Sequence, residues 1–392
     1  MTFSFRALLL GGFVATLPLR AVYAPLPDPE QGKDLIVTVR AGLSHDSNVF
    51  GSATNPIDST IWTLAPRAVY NVSLTDQTFL SAAYGLTLDQ FKSRPGDKLL
   101  DSHDASVRLA HSFSPLTVLD LSNALTVSRN PESLLAGQPV NTDQSFTRNQ
   151  LDGRFTSQVQ PKIGVTVKAR SLYYDYRNAA LGRSLDRVEN LYGLAGDHAF
   201  LPQTKLVAEY RYQDVSYRTQ GELKDKTSHY VMAGADYALA RTISVSGRFG
   251  AEWRQRAGEA DTTAPYIEVS GKYDYTRRSF VAAGYTYTLE ETSDTLRFND
   301  SRLHRFFTNV QHAVSALTVA SASVAFEPAR LQGRRGQADI TEDSWRLGAA
   351  FSYLPTKNWT VLAHVDYDRV RSDDPFRKLR RERVGLSAAF TF

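Results

Sequence analysis

From Val384 to the end of the chain, apolar and polar residues alternate. Val384, Leu386, Ala388, Phe390 and Phe392 fall on one face, and Arg383, Gly385, Ser387, Ala389 and Thr391 on the other. A side-chain period of two is the signature of a β-strand with one apolar and one polar face. The same pattern runs through most of the chain. Leu35, Val37, Val39, Ala41 and Leu43 oppose Thr38, Arg40 and Gly42. Leu206, Ala208, Tyr210 and Tyr212 oppose Lys205, Glu209, Arg211 and Gln213. Ile243, Val245, Phe249 and Trp253 oppose Ser244, Arg248, Glu252 and Arg254; Trp345, Leu347 and Phe351 oppose Arg346; Val361, Ala363 and Val365 oppose His364 and Asp366.

Turn formers divide these segments with a regular asymmetry. Tight turns are expected near Thr75, Pro115, Pro161, Pro202, Ala240, Arg277, Ala316 and Pro355. Longer polar loops fall between them, near Arg94, Ala136, Ala180, Gly221, Gly258, Asp294, Gly333 and Asp373. Each period of about forty residues holds two strand-length segments, whereas a propeller blade of that period holds four. Short turns at one end and long loops at the other are the rhythm of an antiparallel up-and-down transmembrane β-barrel. About eighteen strands are expected, with sixteen as the alternative, and the alternation is weakest between Asn130 and Leu191.

Aromatic residues collect at both ends of the apolar face. Toward the tight turns these are Tyr70, Phe113, Phe200, Tyr237, Tyr273, Tyr275, Tyr353, Trp359 and Phe390; toward the long loops they are Trp62, Phe91, Tyr174, Tyr176, Tyr212, Trp253, Tyr287, Trp345 and Tyr367. Two such bands suit the two membrane–water boundaries, where an amphipathic ring sits half in lipid. A soluble all-β protein would have to cover each apolar face with a partner surface.

Composition narrows the classes. There is no Cys, which excludes a disulfide framework, thiolate metal ligation, a cysteine nucleophile and a lipoprotein anchor. Residues 1–24 read as a secretory signal: Arg6 precedes the apolar run Ala7 to Leu17, and Val22 and Ala24 offer a small-residue cleavage site. That run is too short to span a bilayer as a helix, and no other approaches the necessary length. Residues 25–32 make a short proline-containing lead, and the barrel occupies 33–392. The formal charge of +4 becomes +2 once Arg6 and Arg20 are removed. The basic residues are dispersed, so nucleic acid is not an expected partner.

The stretch after the first strand resembles a known family. Gly42, followed by Asp46, Ser47, Asn48, Val49 and Phe50, is similar to the opening motif of outer-membrane β-barrel porins associated with exopolysaccharide production, with His45 standing where an aromatic is commoner. The resemblance implies a pore in the outer membrane and names no substrate. Ending on an aromatic strand, with Phe390 and Phe392, resembles the signal read by the barrel-assembly machinery.

With the apolar face toward outer-membrane lipid, the other face lines a lumen. It carries Arg40, Arg67, Arg108, Lys168, Arg170, Arg211, Arg248, Arg254, Lys272, Arg305, Arg346, Arg381 and Arg383, mixed with Asp120, Asp152, Glu209, Glu252, Glu268, Asp274, Glu290, Asp366 and Asp368. Such a wall selects among hydrophilic solutes, and guanidinium groups suit the carboxylates of an acidic polysaccharide. The loop from Arg129 to Asp143 is the candidate constriction. A closed structural or surface-interaction barrel, and an outer-membrane hydrolase, are the alternatives. For the hydrolase, His103 with Asp104, His229 and His304 stand beside Ser102, Ser228 and Ser301, but no Gly-x-Ser-x-Gly occurs. Asp46, Asp58, Asp143, Asp294 and Asp300 could meet Ca²⁺ in the loops, yet their spacing matches no dedicated loop. No catalytic residue, metal or cofactor is expected.

Overall fold

The computed structural model describes residues 34–129, 145–256, 258–292 and 294–392. The signal segment, the lead and nearly all of the candidate constriction lie outside them. Eighteen strands form one sheet. They are β1 (Leu35–Asp46), β2 (Ser59–Thr75), β3 (Thr78–Phe91), β4 (Leu99–Ser114), β5 (Thr117–Ser128) and β6 (Phe146–Gln160). Then come β7 (Ile163–Tyr176), β8 (Arg187–Leu201), β9 (Thr204–Tyr217), β10 (Lys226–Ala240), β11 (Ile243–Arg256) and β12 (Thr262–Thr276). The last six are β13 (Ser279–Glu290), β14 (Phe298–Ala313), β15 (Thr318–Gly333), β16 (Ile340–Tyr353), β17 (Trp359–Ser372) and β18 (Leu379–Thr391). Each pairs antiparallel with its sequence neighbours, and β1 pairs with β18, so the sheet closes and has no edge. Two short helices sit in the long connections: α1 (Ala179–Leu185) and α2 (Gly221–Lys224). Among the described residues no helix is long and apolar enough to cross a membrane.

The expected turns fall in place, as do the expected loops within the described residues (the one near Ala136 lies outside them), and the turns have a local cause. At five of them a Ser or Thr hydroxyl accepts from the backbone N–H two residues on: Thr75 from Gln77, Ser114 from Leu116, Thr276 from Arg278, Ser315 from Leu317 and Thr356 from Asn358. Such hydroxyl turns occupy a backbone donor that the ladder no longer serves. The stretch with the weakest alternation contains β6, β7 and β8, joined partly through α1; Asn178 caps that helix by accepting from Ala180 N and Leu181 N.

Register decides which residues face inward. The apolar phase points out and remains open to the surroundings: Trp62 is 62% exposed, Phe249 56% and Leu386 57%. A contiguous apolar belt of this kind calls for an apolar surrounding.

Three aromatics assigned to the belt point the other way. Phe91, Tyr174 and Tyr176 lie in the inward phase. Phe91 packs with Val49, Phe50, Ile61 and Leu100, and Tyr176 with Phe146, Leu181 and Leu185, with Tyr174 beside them. The cause is tertiary: loop residues fold back over the loop end of the barrel and give inward aromatics something apolar to meet.

Candidate functional site: the charged inner wall

All twenty-two sequence-predicted wall residues fall in the inward phase, and register explains their pairing. Charges on the same face are within reach of each other when they stand two residues apart on one strand or on strands one or two apart. Glu209 on β9 receives Lys168 Nζ at 3.0 Å and Arg211 Nε at 2.7 Å. Arg211 donates to the Tyr266 hydroxyl at 3.2 Å, and that hydroxyl donates to Glu268 at 2.8 Å. Arg170 meets Asp152 at 2.6 Å, Arg248 meets Asp236 at 2.7 Å, and Lys272 meets Asp274 at 2.7 Å. Arg108 is paired with Asp120. On the opposite arc, Glu327 joins Arg305 to Arg346, and Arg383 meets Asp368 at 3.0 Å. Arg40 shares the inward side with His364 and Asp366, on either side of the β1–β18 closure.

Two adjoining cavities open onto this wall. The larger, about 340 Å³, is lined by eight Lys or Arg side chains and five carboxylates, and also by Tyr230, Tyr266 and Gln213. The smaller, about 280 Å³, presents Arg108, Arg154, Lys168 and Arg170 against Asp120 and Asp152. Both include Lys168, Arg170 and Leu191, so they form one furrow with cations in excess. Alternation alone could have placed Tyr230 and Tyr266 here, because both stand in the polar phase of their strands.

The loop end holds a denser arrangement that sequence patterns did not reveal. Arg254, 2% exposed, meets Glu252 at 2.7 Å and also Asp300. Arg256 meets Asp300 at 3.0 Å, and Lys226 meets Glu291. Burial alone would raise the Glu291 carboxyl, but Lys226, Arg256 and Arg254 hold it well below the usual carboxylate range. Loop-to-loop bonds lie above this cluster. Lys224 Nζ donates to Arg183 O at 2.8 Å, Arg334 donates to Leu223 O at 2.8 Å and to Asn299 Oδ1 at 2.6 Å, and Arg297 meets Asp374 at 2.7 Å. These are long-range backbone and side-chain contacts, with no periodic trace in the sequence.

The family-like motif sits where the first strand meets the last. Asp46 receives Arg381 Nε at 3.0 Å on both carboxylate oxygens, and both residues are buried. Ser47 N donates to Glu382 O at 2.9 Å, and the Ser47 hydroxyl accepts from Glu382 N at 2.8 Å. The Asn48 amide donates to Ser52 O at 2.8 Å and to Arg380 O at 3.1 Å, while its oxygen accepts from Ser52 N. Val49 and Phe50 then enter the apolar cluster, with the Arg94 guanidinium 4.9 Å from the Phe50 ring. The motif therefore ties β1 to β18 and turns the first long loop inward. At the other end of the same closure, Phe392 N donates to Val37 O at 2.9 Å, and the Phe390 ring lies 5.0 Å from Trp359.

The hydrolase candidates are not assembled. Neighbours along a strand point to opposite faces, so His103, His229 and His304 face outward while Ser102, Ser228 and Ser301 face inward. Each of those histidines instead pairs its Nδ1 with an outward tyrosine: Tyr84 at 2.8 Å, Tyr210 at 2.8 Å and Tyr285 at 2.9 Å. The Ser228 hydroxyl accepts from Arg254. Among the described residues no cluster of metal ligands occurs; Asp46 and Asp300 serve arginines, and Asp294 accepts from Arg297 N.

No family model and no curated protein matches the chain. The chain is similar to the outer membrane protein OpdK from Pseudomonas aeruginosa (TM-score 0.49, 9% identity, 92% of this chain and 98% of that one). It is also similar to OccAB4 of Acinetobacter baumannii (0.48, 10%, 94% and 100%) and to the siderophore receptor PirA from P. aeruginosa (0.46, 8%, 92% and 80%). The chain itself is a closed antiparallel barrel of eighteen strands.

Proposed function

We propose that this chain is an outer-membrane channel for hydrophilic solutes, with acidic sugars as the favoured class. The observation that carries this reading is the inward furrow, where Lys and Arg outnumber carboxylates. Barrels of sixteen to eighteen strands are wide enough for an aqueous passage. Fixed cations along such a passage raise the local concentration of anions, and Arg adds bidentate recognition of carboxylates. In this reading the signal segment is removed, the long loops face outside, and the terminal strand with Phe390 and Phe392 is handed to the assembly machinery.

Planar-bilayer recording of the refolded chain at low salt tests it. Open steps, a reversal potential on the anion side and block by an acidic but not a neutral oligosaccharide are expected. A cation preference would overturn the substrate class. A second reading, a barrel closed by its loops, is favoured by the apolar clusters and loop-to-loop bonds at the loop end. It is separated from the first by whether the intact chain conducts.

A further inference from the structure

The lipid-facing side of the barrel is not uniform at its loop end. Arg302 on β14 lies directly opposite Arg330 on β15. Arg369 on β17 lies directly opposite Arg380 on β18, and Arg371 stands two residues further toward the loops. All five belong to the outward phase and lie within five residues of the loop end of their strands. Carboxylates on this side are fewer. Glu382 meets Arg380 at 2.8 Å, Asp339 meets Arg330 at 3.0 Å, and Asp343 stands opposite Arg371. Outward strand positions at the same height elsewhere are neutral or acidic, namely Gln90, Asp101, Thr147, Asp175, Asp214 and Gln255, and the arginines nearest them stand singly, Arg129 on Asp101 and Arg218 on Asp175.

Like charges directly opposite on a sheet repel, and low-dielectric surroundings strengthen that repulsion. One arginine of each pair already meets a carboxylate, Asp339 for Arg330 and Glu382 for Arg380, but the arc still carries five arginines against three carboxylates, a surplus that a further anion would offset. Directly below, toward mid-barrel, the outward face becomes an aromatic shelf. Phe306 and Phe326 are stacked at 6.2 Å, and Phe326 and Trp345 at 4.1 Å; Tyr285 lies 4.8 Å from Phe306. Trp345 is itself the cross-strand partner of Arg369.

We propose that this arc, from β14 to β18, binds a multiply phosphorylated lipid of the surrounding leaflet. The guanidinium groups take the phosphates, each able to make two parallel N–H···O bonds. The stacked rings lie against the acyl chains. Polar head and apolar tail thus meet their complements in the order in which a membrane presents them. This site lies outside the barrel wall and is independent of whether the lumen conducts.

The test uses the refolded full chain in detergent, titrated with diphosphorylated lipid A, its dephosphorylated form or phosphatidylethanolamine, with bound lipid read by native mass spectrometry. The diphosphorylated form is expected to bind at least about tenfold tighter than either of the others, and Arg369→Gln with Arg380→Gln to remove most of that preference. Unchanged heat-modifiable migration of the variant confirms folding. A second measurement needs only a single substitution. In lipid-free detergent Arg302→Gln is expected to unfold at higher urea than the parent chain, and added diphosphorylated lipid A to cancel the gain. Equal binding of all three lipids, or a double variant that retains the preference, would overturn the proposal. Full displacement by millimolar inorganic pyrophosphate would reassign the site to free phosphate.

Discussion

Arg381 and Asp46 show what a single charge does when it closes a barrel. Both are buried, and the carboxylate also accepts from Asn48 N at 2.9 Å. Removing one partner of a buried pair strands the other charge, at a cost of about 3–5 kcal/mol. Asp46→Ala should therefore lower the stability of the refolded barrel by roughly that amount, read by urea unfolding in phospholipid vesicles. Asp46→Ala combined with Arg381→Met should recover much of the loss, because no charge is then left unpaired. A single substitution costing below about 1 kcal/mol, the range of an exposed pair, would mean that the pair is not the seam fastener argued above. Asn48 acts alongside it through three hydrogen bonds to Ser52 and Arg380, which join the loop to the last strand.

Among the connecting elements, the long loops hold one another in place. The first of them is anchored by Val49 and Phe50 in an apolar cluster. Val49→Asp with Phe50→Asp places two carboxylates in that cluster and should release the loop while the strands stay paired. Single-channel conductance of the variant should exceed that of the parent chain, and equal conductance would show that this loop does not narrow the passage. A pH effect belongs to the loops between β13 and β14 and between β17 and β18. Burial would raise the Asp374 carboxyl, but the bond from Arg297 and the Phe376 N–H outweigh it and hold it low. A carboxyl depressed in the folded state stabilises above its ordinary pKa of about 4, and this contribution is lost as pH falls through the folded value. Protection from hydrogen exchange at Arg377 and Lys378, taken relative to the unstructured rate at each pH, should thus be unchanged from pH 7 to about pH 5 and fall below about pH 4. Arg297→Gln should move that loss of protection to higher pH.

For the whole molecule, the consequence of closure is an inner surface whose charge can be read as ion selectivity. Lys168 and Arg170 belong to both cavities, so they are the most economical place to change its sign. Lys168→Glu with Arg170→Glu should shift the reversal potential from the anion side toward cations, more strongly at 0.1 M salt than at 1 M, where screening shortens to about 3 Å. A reversal potential that does not move would place the selective step elsewhere.

Much of this protein was legible without coordinates. A side-chain period of two needs only local backbone geometry, so strand phase, strand number and the inward side of residues such as Glu209, Arg248 and Arg346 followed from alternation. Turns followed from hydroxyl and proline chemistry at fixed offsets. The motif from Asp46 to Phe50 could be noticed, but not that it fastens the first strand to the last, since its partners Arg380, Arg381 and Glu382 lie over three hundred residues away. Phe91, Tyr174 and Tyr176 were misplaced for the same reason: what an aromatic packs against depends on loops that return across the barrel mouth. The buried cluster of Lys226, Arg254, Arg256, Glu291 and Asp300, and the outward arginine pairs, likewise arise from residues brought together by closure and register. Periodicity fixes which way a side chain points, and only tertiary structure decides what it meets there.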